Sequence, residues 1–254
     1  MVSKGLIIKN ISKHFGGFPA LSNIRAAVPT GKITAFIGPN GAGKTTLFHL
    51  IAGVLKPDAG SVYFDDIEIT GMPSYAVARL GIGRQFQDVR VFGGLTVLDN
   101  VTAAMIPYSE QIIWRAWFMN FKGKEIIRQA KEEAQYWLEY VGLKEQHKRL
   151  AVELSFGQQK LLSLARLFAR KSKLLLLDEP TAGLSQQMIS QVMNLILKAV
   201  NDNKVTVALV EHNMNVVAEL SFWIHFMHEG KVAFSGKKEH VLGSQNVRKI
   251  YMGL

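Results

Sequence analysis

No cysteine occurs among the 254 residues, which excludes disulfides and thiolate metal centres and fits a reducing compartment. Long apolar runs are missing as well. The best candidate, residues 112–121 (IIWRAWFMNF), is half the roughly 20 residues that a membrane span needs, and Arg115 interrupts it. An integral membrane protein is therefore not expected. The two tryptophans and two phenylalanines of that segment suit either packing inside a helical subdomain or a place against a partner or lipid headgroups. The opening stretch, MVSKGLIIKNISKHF, has no long apolar core after its first lysine, so no secretory signal is expected there. Internal repeats and low-complexity segments are also absent. Acidic residues are in the minority, 20 Asp and Glu against 30 Lys and Arg, a formal charge of +10. Such an excess suits nucleic acid, an anionic membrane face or a polyphosphate ligand, and equally a solvated basic surface. The cations are dispersed, in pairs such as Lys148-Arg149 and Lys237-Lys238, with no long run.

What is present is apolar material for a sizeable core, 48% of the chain, in a length that suits one large α/β domain with an inserted subdomain. Short apolar runs at 6–8, 33–37, 62–64, 174–177 and 205–210 read as strands. The last two are nearly all apolar, as strands buried on both faces are. Residues 46–54 and 158–170 carry apolar side chains at helical spacing, and the alternation predicts a mostly parallel sheet covered by helices. From about residue 86 to 154 the pattern changes. Ile126, Ile127, Ala130, Ala134, Trp137, Leu138 and Val141 fall on one helical face, Lys131, Glu132, Glu133 and Glu139 on the other, and Gly142 supplies a stop. This stretch reads as a helical subdomain inserted between strands of the core.

The strongest local signal is GPNGAGKTT, Gly38-Pro39-Asn40-Gly41-Ala42-Gly43-Lys44-Thr45-Thr46, between an apolar strand and a helix. Glycines there let backbone N–H groups turn in around phosphate oxygens. Lys44 is suited to the β- and γ-phosphates, the Thr45 hydroxyl to Mg²⁺, and Thr46 to the α-phosphate. A nucleoside triphosphate is the expected ligand. In KLLLLDEP a buried strand ends in Asp178, placed to hold Mg²⁺, and Glu179, placed to act as general base on a water. The strand at 205–210 ends in Glu211-His212, where the imidazole can donate to a γ-phosphate or to the attacking water. Gln87, in RQFQDVRVF, has an amide able to ligate Mg²⁺ and orient water, though spacing alone leaves that role open. Phe15, in KHFGGFPAL, is either an adenine-stacking ring or a core aromatic. LSFGQ at 154–158 enters a helix and reads as a phosphate turn or as a plain helix cap, with the bulky Phe156 counting against the first.

In chain order these elements resemble the ATP-binding subunit of an ABC transporter: GPNGAGKTT its Walker A loop, Gln87 its Q-loop, LSFGQ its signature, LLLLDE its Walker B and His212 its switch histidine. Phe15 falls where that family stacks adenine. The resemblance covers essentially the whole chain, and no Asn-Lys-x-Asp guanine motif is present. It implies an α/β P-loop fold of ABC type, with an N-terminal antiparallel β part beside the mostly parallel core. Residues 1–86 and 166–240 would form the nucleotide-binding core, 87–165 the helical subdomain and 241–254 a tail. ATP and Mg²⁺ are the implied cofactors. The implied partners are an integral membrane permease, a second ATP-binding subunit, identical or homologous, and indirectly a solute-binding protein; nucleic acid is not expected. In that arrangement two subunits close head to tail, and Ser155, Gly157 and Gln158 of one cap the ATP held by the other. The implied location is peripheral, on the cytoplasmic face of the inner membrane.

Residues 78–101, EPTAGLS at 179–185 and the tail VRKIYMGL are similar to the branched-chain amino acid importer group, as is an aromatic at position 156. Systems for urea or amide uptake and lipopolysaccharide export share much of this pattern. A soluble ABC ATPase acting on nucleic acid or ribosomes, and a module that holds ATP without turnover, are the competing readings. One position departs from the family: Ser185 stands where an aspartate or asparagine is common.

Overall fold

The computed structural model describes residues 5–85, 89–105, 122–244 and 247. The chain divides into two compact units. One comprises Met1–Arg84, Lys173–Ala182 and Met193–Leu254, the other Gln85–Ser172 and Gly183–Val192.

The first unit is built on two sheets. β3 (Ile33–Ile37), β7 (Leu174–Asp178) and β8 (Thr206–Val210) are five-residue strands in which every residue is buried. Strands covered on both faces pair in parallel, and β8 lies parallel to both β3 and β7. With β6 (Ile82–Gln85), β9 (Trp223–His228) and β10 (Lys231–Lys237) they form a six-stranded sheet in the order β10-β9-β3-β8-β7-β6. β9 also runs parallel to β3, and β10 closes the edge as an antiparallel hairpin. The second sheet is antiparallel, order β2-β1-β4-β5, from β1 (Gly5–Phe15), β2 (Phe18–Pro29), β4 (Ala59–Phe64) and β5 (Ile67–Glu68). β1 turns Leu6 and Ile8 inward at period two, then Ile11 after a register shift at Asn10, which has φ 52°. The bulge keeps the apolar side chains on the core face.

Period-two alternation along β3 divides the core. Phe36 joins Leu47 and Phe48 of α1 (Lys44–Ile51) and the inner face of the antiparallel sheet. Ala35 and Ile37 face the other way, toward Val217 of α7 (Met214–Leu220), Phe226 and Val241 of α8 (Lys238–Gly243). A short helix, α2 (Ser74–Arg79), adds Val77 to the first cluster.

The second unit is helical: α3 (Val97–Met105), α4 (Lys122–Tyr140), α5 (Phe156–Ala169) and the start of α6 (Gln186–Asn203). Ala130, Ala134, Trp137, Leu138 and Val141 are buried as the helical period predicts, whereas Ile126 and Ile127 at the other end of α4 are about half exposed. Trp137 and Tyr140 pack against Phe168 of α5, with ring centroids 6.1 and 5.7 Å apart. Gly142, at φ 81°, ends α4 as expected, and the Leu143 amide donates back to the Leu138 carbonyl at 2.7 Å.

Candidate active site

β3 ends at Ile37, and the chain wraps through Gly38–Gly43 into α1. Gly43 sits at φ 94°, and a Cβ there would fall 2.5 Å from Leu21 Cδ2 and 2.7 Å from the Ala20 carbonyl oxygen. Only glycine fits. Gly41 is also left-handed, at φ 82°, but nothing lies within 4 Å of where its Cβ would be, so its constraint is conformational. The loop therefore opens into the first turn of α1, which carries no acidic residue. Helix polarity favours an anion there.

Lys44 is buried, and its amine donates to the carbonyls of Gly38 at 2.7 Å and Pro39 at 2.9 Å. Burial lowers its pKa, while the carboxylates of Glu179 and Asp178 act in the opposite direction. Thr45 is exposed and Thr46 half-buried beside it.

Asp178, the last residue of β7, is 2% exposed. Oδ2 lies 3.5 Å from Arg84 Nη2, while Oδ1 is buried with no hydrogen-bond partner among the described residues. Burial pushes its pKa up, with Arg84 as the main opposing influence. Glu179 follows at φ 51°, a left-handed conformation that a non-glycine residue keeps only where its surroundings impose it. Its amide donates to the Val210 carbonyl at 2.9 Å, so the ladder between β7 and β8 extends to the residue itself. Glu179 Oε1 is 3.1 Å from His212 Nε2.

The structure thus brings Lys44, Asp178, Glu179 and His212 together at the C-terminal edge of the parallel strands. Phe15 lies at the end of β1 and is 47% exposed, which removes the core-aromatic alternative; Lys13 Nζ stands 5.8 Å from its ring centroid. Gln87 and residues 112–121 lie outside the described residues. Sequence reading overlooked Arg84, the ion-pair partner of Asp178, and Glu211, which accepts from the amides of Thr181 and His212. The only hint was their places beside RQFQ and His212.

Ser155, Gly157 and Gln158 belong to the helical unit. Ser155 is the N-cap of α5 in a reciprocal capping box: its hydroxyl accepts from the Gln158 amide at 3.3 Å, and Gln158 Oε1 accepts from the Ser155 amide at 3.0 Å. Phe156 begins the helix half exposed, its ring beside Gly183, where a Cβ would come within 3.1 Å of Cε1. A Cβ at Gly157 would meet Met188 Cε at 2.9 Å. Ser185 caps α6, its hydroxyl accepting from the Met188 amide at 3.4 Å. Aspartate, asparagine and serine are all strong N-caps, so the departure at 185 preserves that local role.

A glycine loop leading from a buried parallel strand into a helix, a buried lysine folded over it and a carboxylate pair at the end of the parallel strand next but one define a P-loop nucleoside triphosphatase. The profile of the ABC transporter family matches residues 21–182, and the chain belongs to that family. It is 34% identical over 248 residues to the high-affinity branched-chain amino acid transport ATP-binding protein BraF of Pseudomonas aeruginosa, covering 98% of this chain and 97% of BraF. A probable branched-chain amino acid transport ATP-binding protein LivG of Archaeoglobus fulgidus is 35% identical over 256 residues, covering 98% and 96%. Among solved structures, the ADP conformation of MJ1267, an ATP-binding cassette of an ABC transporter, matches with a TM-score of 0.85 at 31% identity over all of both chains. A dimeric structure of MJ0796, a bacterial ABC transporter cassette, matches at 0.78 and 26% identity, covering 92% of this chain and 98% of that one. Proteins of this family are ATPases that energise transport.

Proposed function

We propose that this chain hydrolyses Mg-ATP to drive an importer for branched-chain or other hydrophobic amino acids. It would work as a head-to-tail pair of ATP-binding subunits docked on a membrane permease at the cytoplasmic face of the inner membrane, with a solute-binding protein delivering the cargo outside. The observation that carries this reading is the convergence of Lys44, Asp178, Glu179 and His212 at one strand edge. The names of the curated relatives supply the cargo class.

In this reading the Lys44 amine exchanges the Gly38 and Pro39 carbonyls for β- and γ-phosphate oxygens. Asp178 Oδ1 is the kind of orphaned acceptor that a divalent cation satisfies, and Asp178, the Thr45 hydroxyl and Gln87 are the residues that would hold Mg²⁺. When bound, that ion neutralises charge on the β- and γ-phosphates. Glu179 takes the proton of the water that attacks the γ-phosphorus, the bond to ADP breaks, and ADP and phosphate leave. His212 orients the water and the γ-phosphate. Phe15 stacks on the adenine. Ser155, the Gly157 amide and Gln158 of the second subunit meet the γ-phosphate at the N-terminus of α5. For the permease we assign the apolar patch of Phe92, Leu95, Leu150 and Val152, exposed by 39–65% and stitched together by the Ala151 amide donating to the Leu95 carbonyl at 3.0 Å. No helix among the described residues is long and apolar enough to cross a membrane, so attachment would run through such a surface.

Glu179→Gln tests the reading twice. ATP hydrolysis by the purified subunit should fall about 10²-fold or more, as expected for a lost general base, with nucleotide binding retained. Cells carrying the variant as sole copy should lose uptake of labelled leucine. An unchanged hydrolysis rate would rule Glu179 out as the base, and unchanged uptake would rule out the cargo.

A further inference from the structure

Glu211 follows the last residue of β8 and is 3% exposed. A carboxylate withdrawn from water needs hydrogen bonds at both oxygens. Oε1 accepts from the Thr181 amide at 3.0 Å and from the Thr181 hydroxyl at 2.5 Å. Oε2 accepts from the amides of His212 at 3.0 Å and Asn213 at 3.3 Å. One buried side chain therefore clasps two loops, one of them reached at Thr181, 30 residues before Glu211 itself. The first leaves Glu179, and the second carries His212. On their far sides both loops are fixed. The Glu179 amide is held by the Val210 carbonyl, and Asn213 caps α7 by accepting from the amides of Asn215 and Val216. The two side chains in between, His212 Nε2 and Glu179 Oε1, are 3.1 Å apart.

We propose that Glu211 is a positioning residue for ATP hydrolysis: by binding Thr181 on one oxygen and His212 with Asn213 on the other, it sets the separation of Glu179 and His212. The proposal rests on the roles assigned above to those two residues. Both of its oxygens are already engaged by protein donors, so Glu211 would act through Glu179 and His212 and not on the reacting atoms. Four donors converge on its two oxygens, so glutamine is the informative replacement. It keeps the shape but offers a single oxygen, and its amide N–H groups would confront donors.

The test measures kcat, KM for Mg-ATP and the Kd of a fluorescent nucleotide for Glu211→Gln, Thr181→Val, His212→Ala and the two double variants built on His212→Ala. Glu211→Gln should lower kcat roughly tenfold to a hundredfold, the scale of a misplaced catalytic group, with Kd unchanged within about twofold. On the His212→Ala background the same change should cost no more than about a further twofold, because the group being positioned is gone. Thr181→Val, which removes one donor of the four, should give a smaller loss with the same non-additivity. An unaltered kcat in Glu211→Gln, or a full additive loss on the His212→Ala background, overturns the proposal. If Glu211→Gln fails to bind nucleotide, Thr181→Val decides, and an additive loss there overturns it as well. A wild-type rate in His212→Ala overturns the role of His212 and this inference with it, whereas a slow His212→Ala with additive Glu211→Gln overturns the inference alone.

Discussion

On the proposed function, Lys44 and Phe15 would meet the nucleotide in opposite ways. The lysine is 6% exposed with its amine already engaged by two carbonyls, so a phosphate has only to displace backbone oxygens. Phe15 presents a bare ring, and order comes from its neighbours: Asp58 accepts from Lys13 Nζ at 2.7 Å and from the His14 amide at 2.7 Å. The Lys13 hydrogen bond, aided by the His14 amide, holds the Asp58 carboxyl at about 2, so the anchor stays charged at any working pH. Phe15→Ala should therefore raise KM for ATP about fivefold or more, since stacking on a base contributes roughly 1–3 kcal/mol, and leave kcat alone. Hydrolysis of tripolyphosphate, which has no base to stack, should be insensitive to the change. An unaltered KM for ATP would mean that the ring is idle. The position of Phe15 was legible only through resemblance, because an aromatic between polar residues has the same letters in a core as on a surface. For Glu211 the sequence offered only its place beside His212: three of its four donors are backbone amides, and no side-chain pattern announces them.

Elements were legible in proportion to how completely they are buried. β3, β7 and β8 are apolar runs because both faces are covered, and a run of that kind reads the same in sequence and in space. β2 and β10 were missed because each alternates, β10 with only Gly236 buried, as a sheet edge requires. β9 was missed because His225 and His228 break an otherwise apolar stretch. The turn at 154–158 resolves as a helix start of full quality. Phe156 there has helical backbone and lays its ring on Gly183, so the absence of a second glycine does not distort the turn. Phe156→Gly should thus retain ATPase activity while costing about 1 kcal/mol of stability, through helix propensity. Ser155→Ala should cost a similar amount by loss of the cap, whereas Ser155→Arg should abolish hydrolysis by blocking closure of the paired subunits. Loss of activity in Phe156→Gly at unchanged nucleotide affinity would instead make the ring part of the closing surface.

At the scale of the whole molecule, one buried residue links the two sheets of the first unit. His225 of β9 is 4% exposed; Nδ1 lies 2.7 Å from Ser235 Oγ of β10 and Nε2 lies 3.0 Å from the Ala27 carbonyl of β2 in the other sheet. Phe36 packs on its ring at 5.0 Å between centroids. Burial holds the imidazole below its ordinary 6.5, and the hydrogen bond to Ala27 offsets this only in part. Below pH 6.5 the unfolded chain binds a proton that the folded chain declines, so unfolding gains from acid. The contribution of His225 to stability is complete above that pH and is lost as the pH falls through it toward the lowered folded value. His225→Gln keeps a hydrogen-bonding side chain of similar size with nothing to titrate. Between about pH 7.5 and pH 5.5 its melting temperature should fall less than that of the parent chain, the gap being about 2–4 °C for each kcal/mol lost in a protein of this size. Both proteins carry the same other charges, so the difference between their two slopes isolates this residue. Parallel slopes would show that the folded chain binds the His225 proton as readily as the unfolded chain does and that the acid sensitivity of the molecule lies elsewhere.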